Sequence, residues 1–448
     1  MTSGPQRTCH LALLCGALAI AAPTAAVPAV SESLVMGPAL TQWFAAGYQL
    51  SSGPLQLCAE HLADRHGTRR TLLAALAVFT GGSLLAATAD RGTELLAARL
   101  VQGAGGSALS PLSLSSLLAL SPVKDDERRA VGAWTATAAT ASCLGPLLGG
   151  LLTNVLGWRA VFGALALLAA VTAGCALALL PGRAQHHVSL EERLDSLEGR
   201  LDATGIALCT ATATTVLIAL TAPAAGAPPP VLPAAVAAAC VLGAVLLRRA
   251  RHRADFVLDG ELLRRAETRR ALFVLPVLFC GNSLFTFLTY FELTRAHGLS
   301  PFRAALVTLP AVTPAVFTSR WAARRTRSPG DGAPLMRTGL LCIAAGLFTA
   351  GLGRGGPTPL WLVSASCALV GCGLGAANGA AMATVTRDRP RSASRATATA
   401  TTFAMLGGAA GPALAGALTT SFPHSSLLVT APATAVAAVA LTRSTRAP

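Results

Sequence analysis

Gly145-Pro146-Leu147-Leu148-Gly149-Gly150, with Ala141 four residues before it, returns 266 residues later as Gly411-Pro412-Ala413-Leu414-Ala415-Gly416, with Gly407 in the place of Ala141. Both copies lie inside long uncharged runs. A proline within a helix removes one backbone hydrogen bond and bends the chain, and small residues four apart let a second helix come close. The two segments therefore describe one kind of helix occurring twice. Apolar runs of about 20 residues with little or no charge, the length that crosses roughly 30 Å of hydrocarbon, lie near 9–30, 37–58, 71–89, 93–119, 130–153, 158–180, 203–222, 230–247, 271–292, 300–319, 335–353, 358–385, 396–418 and 424–442. The copies fall in the fifth and thirteenth runs. Eight crossings separate them, an even number, so both point the same way and the repeat is parallel.

Composition agrees with this reading. Hydrophobic residues make up 53% of the 448 positions and charged residues 12%, against about 25% charged in average soluble domains. Backbone amides in lipid must be satisfied within their own segment, so the runs are expected to be helices. The result is an all-α polytopic membrane protein with fourteen spans in a 6+2+6 order. Residues 1–182 form one six-helix bundle and 183–200 a loop. Two inserted spans occupy 201–248, a basic loop 249–270, and the second six-helix bundle 271–448.

Charge tests that map. With the N-terminus in the cytoplasm, the inside loops and both termini hold 29 of the 35 basic residues, as the positive-inside rule requires. This predicts a cell inner membrane protein with both termini cytoplasmic. Reading the N-terminal run as a cleaved signal peptide leaves thirteen spans and breaks the charge pattern. The net charge of +15 is thus set against anionic headgroups. The run Arg248–Arg270, interrupted by Asp255, Asp259, Glu261 and Glu267, is read as a loop facing lipid and not as a nucleic-acid surface. The eleven cysteines show no ligand spacing with histidine, so no metal site is expected. No nucleophile–base pair or cofactor motif lies at membrane depth, and the chain is not expected to be an enzyme.

Parallel six-helix halves around a midplane site are the plan of major facilitator transporters, and several strings resemble that superfamily. Leu62-Ala63-Asp64-Arg65-His66-Gly67-Thr68-Arg69-Arg70 resembles its cytoplasmic loop signature, with Glu60 in the place of the first glycine and Thr68 where a basic residue is usual. Arg99-Leu100-Val101-Gln102-Gly103-Ala104-Gly105-Gly106 resembles its second motif, and the Gly145-Pro146 segment its exporter motif. Gln42-Trp43-Phe44 with Tyr48, Leu201-Asp202-Ala203-Thr204-Gly205 and Gly298-Leu299-Ser300-Pro301 are similar to the fourteen-helix drug:proton antiporter branch.

The resemblance implies roles. Asp64, Arg65, Gly67, Arg69 and Arg70 would form a cytoplasmic gate; Asp64 stands just before the third span, near the positive end of its dipole. Arg99 with Gln102 would couple protons to cargo. Arg99 is the only basic residue inside a span away from its ends, where a charge is costly unless paired or hydrated; it either faces the interior or snorkels to the outer interface. Gly145, Pro146, Gly149, Gly150, Gly411 and Pro412 would provide the helix bend and the packing that closes the outer side.

One departure bears on mechanism. Related antiporters carry an acid in the first span at the position aligned with Ala19, and an asparagine is common where Thr24 stands. No acid lies deep in a span, which leaves Glu32 or Asp64 as candidate proton carriers. A cavity without fixed negative charge points to a neutral or anionic, largely apolar compound, held by groups such as Thr24, Tyr48, Gln49, Asn282, Phe285 and Asn378. The expected function is export of a drug or antibiotic by a monomer driven by the proton gradient, without a cofactor. Uptake of a metabolite and a degenerate, non-transporting paralogue are the alternatives.

Overall fold

A computed structural model describes residues 4–120, 124–180, 202–228, 230–252, 265–326, 328, 330–352, 358–387 and 393–421. Helices dominate it: α1 (Gly4–Ser33), α2 (Pro38–His66), α3 (Thr68–Ala87), α4 (Gly92–Gly106), α5 (Leu109–Ala119), α6 (Lys124–Leu156) and α7 (Arg159–Leu179). After these come α8 (Ala203–Thr221), α9 (Val231–His252), α10 (Ala266–Phe291), α11 (Pro301–Thr308), α12 (Val312–Arg325), α13 (Gly332–Ala350), α14 (Leu360–Arg387) and α15 (Ala393–Ser421). Among the described residues ten helical segments are long and apolar enough to cross a bilayer. The chain is a polytopic membrane protein. The last expected span, 424–442, and the loop 183–200 lie outside the described residues.

Two expected spans are not single helices. The run 93–119 divides into α4 and α5 at Ser107–Ala108. Pro111 has no N–H to donate to the Ser107 carbonyl four residues back, and Gly105 and Gly106 weaken the helix just before it. The run 300–319 divides into α11, a single 3-10 turn over Leu309–Ala311, and α12. Here Pro310 withholds the hydrogen bond owed to Leu306. Gly67, alone between α2 and α3, adopts a φ of +89° that suits glycine.

The buried side chains form two main cores. One is built on α1 to α7, around Phe44, Leu72, Leu76, Phe79, Leu109 and Phe162. The other is built on α10 to α15, around Leu275, Leu278, Phe285, Tyr290, Leu340 and Leu347. The halves meet where α1 packs on α10, α2 on α15, and α6 on α11. The inserted α8 touches α2 and α15 together. A small third core of Ala46, Leu50, Leu217, Ala409 and Ala413 marks where it covers that seam.

The repeated glycines do equivalent work in the two halves. A Cβ on Gly149 would stand 1.9 Å from the Ala22 carbonyl oxygen, and one on Gly145 2.4 Å from the Ala21 Cβ, so α6 lies directly against α1. In the second copy a Cβ on Gly411 would meet the Leu284 nitrogen at 2.6 Å, and one on Gly407 the Pro276 oxygen at 2.2 Å, so α15 lies against α10 in the same way. Each copy seats its helix on the first helix of its own half.

Candidate functional site

Between the halves lies a small cavity of about 40 Å³, walled by Ile20, Pro23, Thr24 and Val27 of α1, Phe44, Ala45 and Gln49 of α2, Arg99 of α4, Ser283, Thr286 and Phe287 of α10, and Pro412 of α15. That is room for about three water molecules. The halves also close on both sides of it. Toward the end carrying Arg65 and Arg70, called here the basic end, Thr401 Oγ1 donates to Gln56 Oε1 at 3.0 Å and Thr402 Oγ1 to the Gly53 carbonyl at 2.9 Å. Toward the opposite end a Cβ on Gly150 would come within 2.7 Å of the Pro301 oxygen, and Arg295 pairs with Glu32 at 3.5 Å. Among the described residues the halves thus touch on both sides of the cavity.

Arg99 supplies the cavity's only charge among its lining residues. Its side chain is buried, at 3% exposure, so it does not snorkel to an interface. Nη1 donates to the Ala19 carbonyl at 3.1 Å and to Gln102 Oε1 at 2.5 Å. Gln102 Nε2 donates onward to Ser83 Oγ at 2.8 Å, and Ser83 to the Phe79 carbonyl at 2.7 Å. The guanidinium carbon lies 4.9 Å from the centre of the Tyr48 ring and 5.9 Å from those of Phe44 and Phe162, within reach of cation–π attraction. Among the described residues Nε has no hydrogen-bond partner. Gly103, Gly105 and Gly106 make the crowding possible, because a Cβ at any of them would collide with Tyr48, Ser51 or Phe79.

The other residues nominated from sequence are dispersed. Thr24 and Gln49 line the cavity. Tyr48 stands behind Arg99, its hydroxyl donating to the Gly16 carbonyl at 3.3 Å. Phe285 is buried in the second-half core, and Asn282 and Asn378 are half-buried away from the cavity wall. Glu32, 64% exposed, pairs with Arg295 at the protein surface. Asp64, Arg65 and Arg70 are exposed at the turn between α2 and α3, and Arg69 donates to the Leu177 carbonyl at the end of α7. Cavity residues missed from sequence are Ser283 and Thr286 of α10; two hydroxyls at i and i+3 in an apolar span were the available signal.

A profile of the Major Facilitator Superfamily matches residues 9–411. The chain belongs to that superfamily. It is 40% identical over 133 residues to the methylenomycin A resistance protein of Streptomyces coelicolor, covering 30% of this chain and 28% of that protein. The multidrug resistance protein Stp of Mycobacterium tuberculosis is 38% identical over 137 residues, 31% of this chain and 26% of that one. The multidrug efflux pump LfrA of Mycolicibacterium smegmatis is 29% identical over 323 residues, 72% of this chain and 62% of the pump. These matches thus span from about a quarter to under two-thirds of the relatives' own lengths. Among solved structures, the POT family transporter PepTSo superposes with a TM-score of 0.68 at 15% identity, over 100% of this chain and 98% of that one. The human organic anion transporter MFSD10 gives 0.63 at 16%, over 99% and 100%; at these identities both establish the fold alone.

Within this superfamily fold, the segment Gln42-Trp43-Phe44 with Tyr48 turns out to join four surroundings along α2. Gln42 fits the space left by Gly416 of α15. Trp43 Nε1 donates to Thr221 Oγ1 of the inserted α8 at 3.1 Å. Phe44 meets Phe162 edge-on at 6.4 Å, and Tyr48 faces Arg99. Asp202 caps α8 by accepting from the Gly205 N–H at 2.9 Å and pairs with Arg249 of α9 at 2.8 Å, which fixes the basic ends of the inserted pair. A second cavity, about 550 Å³, lies beside these helices, lined by Leu217, Val216, Leu246, Leu284, Phe403 and Leu414 among others. Its hydroxyls are internally committed, Thr212 to the Leu208 carbonyl and Thr402 to those of Gly53 and Ala398. It is larger than the central cavity but has no convergent polar groups, and Leu50 is the one first-half residue in its lining, the rest coming from the inserted pair and the second half. The small central cavity is the candidate transport site.

Proposed function

We propose that the chain exports a small, largely apolar organic compound, a drug or antibiotic, across a bacterial inner membrane by alternating access. The observation that carries this reading is the cavity with polar lining at the meeting of two similarly built halves, with contacts between the halves on either side of it. Rocking the halves about it would expose the same residues to each side in turn, the mechanism that repeat architectures of this class support. The printed names of the relatives, which include resistance and efflux proteins, point the same way. The basic end is taken as cytoplasmic from the charge asymmetry, with both termini inside and the protein acting as a monomer. The energy source is the proton gradient with its associated membrane potential, worth about 2.3 kcal/mol per charge per 100 mV.

The test is a resistance panel of structurally diverse antibiotics in a host stripped of its own pumps, with and without this protein. Export predicts raised inhibitory concentrations for some compounds and accumulation of them in inverted vesicles. Accumulation in right-side-out vesicles would assign uptake, and no effect in either assay would assign a non-transporting paralogue.

A further inference from the structure

We propose that Arg99 is the binding residue for a carboxylate on the transported compound, so that the cargo is an apolar organic anion. This rests on the export reading above and names its substrate class.

A buried guanidinium needs either a counter-charge or a full set of acceptors. Among the described residues no carboxylate pairs with Arg99; its Nη1 is engaged by one carbonyl and one amide oxygen, and its Nε–H is buried without a partner. The same side chain forms part of the cavity wall between the halves. The fork of an arginine matches a carboxylate in plane and spacing, and a monoanion brings the charge that the site lacks. Gln49 from the first half and Ser283 from the second line the same space, and each can add a donor to the anion. Thr24 and Thr286 have given their hydroxyl hydrogens to the Ala21 and Asn282 carbonyls, at 2.5 and 2.8 Å. They face the cavity as acceptors, suited to an N–H or O–H elsewhere on the cargo. Ile20, Val27, Phe44 and Phe287 supply the apolar walls. A cation entering here would meet a fixed like charge with no carboxylate among the lining residues to offset it. Where α1 hydrogen-bonds Arg99 it offers the Ala19 backbone carbonyl and no carboxylate. The arginine is left open to the cargo.

The experiment compares protection of a pump-deficient host against apolar carboxylates (fusidate and nalidixate), their neutral methyl esters, and permanent cations (ethidium and tetraphenylphosphonium). The prediction is protection against carboxylates and none against the cations. Gln102→Glu places a carboxylate where the amide oxygen already touches Nη1. With the variant present in the membrane at the wild-type level, it should lower carboxylate protection by about ten-fold or more, as should Arg99→Gln. Protection confined to cations or to neutral compounds overturns the proposal and leaves export standing. Carboxylate protection unchanged in both variants overturns the role of Arg99. No protection against any compound defeats export and this inference together.

Discussion

The Ala19 carbonyl oxygen lies 3.1 Å from Arg99 Nη1, so the part of α1 that meets the buried charge is its backbone. Burying a charge for the sake of a site costs stability, and replacing such a group by an apolar one of similar shape is often neutral or stabilising. Arg99→Met is therefore expected to melt in detergent at the wild-type temperature or above it while losing transport by at least about ten-fold. Arg99→Lys should also fail to transport. An ammonium can at most replace Nη1 in its bonds to Ala19 and Gln102, and it has no planar fork to offer a carboxylate. Melting curves and efflux assays on the same preparations check this, and a sharp fall in stability for Arg99→Met would show that the arginine is structural.

The helix seams give a second contrast. An added methyl at Gly149 would sit 1.9 Å from a backbone oxygen of α1, whereas one at Gly163 of α7 meets nothing within 4 Å. Gly149→Ala should destabilise by about 1–3 kcal/mol through overpacking. Gly163→Ala should stabilise by roughly 0.5–1 kcal/mol by removing backbone freedom from the unfolded chain. Chemical denaturation in micelles reads both, and equal behaviour of the two variants would contradict the packing described.

Two contacts at the end opposite the basic one differ in what they hold. Gly150 lets the Pro301 backbone of the other half approach, leaving 2.7 Å for any Cβ. Glu32 and Arg295 form an ion pair with both side chains more than half exposed. Such pairs contribute at most about 1 kcal/mol. Gly150→Ala is expected to wedge this end open and slow transport, seen as a longer and broader distance distribution between spin labels at Ser33 and Arg303. Glu32→Gln should leave that distribution and the efflux rate near wild type. A large effect of Glu32→Gln would return this carboxylate to the coupling mechanism.

Much of this architecture is legible in the sequence. The copies at Gly145 and Gly411 gave the parallel halves because glycine and proline act through the backbone, where spacing alone determines the effect. Arg99 was legible for a similar reason, since a lone charge in an apolar run must be accommodated. The breaks at Ser107–Ala108 and Leu309–Ala311 were hidden by hydropathy. Neither Pro111 nor Pro310 alters the apolar count that defined the spans. Phe285, Asn282 and Asn378 could not be sorted from Ser283 and Thr286 either. Which face of α10 meets the first half depends on packing against α14 and α15, and a uniformly apolar helix shows no face in its sequence. The two jobs of Asp202, helix cap and ion pair, needed α9 to bring Arg249 alongside.

The same arrangement bears on what drives the cycle. Among the described residues no carboxylate lines the central cavity, and Glu32 and Asp64 are exposed. A proton antiporter needs a group that changes charge while facing each side in turn. An anionic cargo removes that need. Moving one negative charge out of a cell with a negative interior is favoured by about 2.3 kcal/mol per 100 mV, or roughly forty-fold in concentration. The expected outcome is that carboxylate efflux from loaded cells or right-side-out vesicles stops when valinomycin with external potassium collapses the membrane potential. It should persist when nigericin removes the pH gradient and leaves the potential. Hyperpolarisation should raise the rate at constant pH. If nigericin alone abolishes efflux, protons are exchanged directly, and the carrier must be sought outside the central cavity, with Asp64→Asn the first variant to assay.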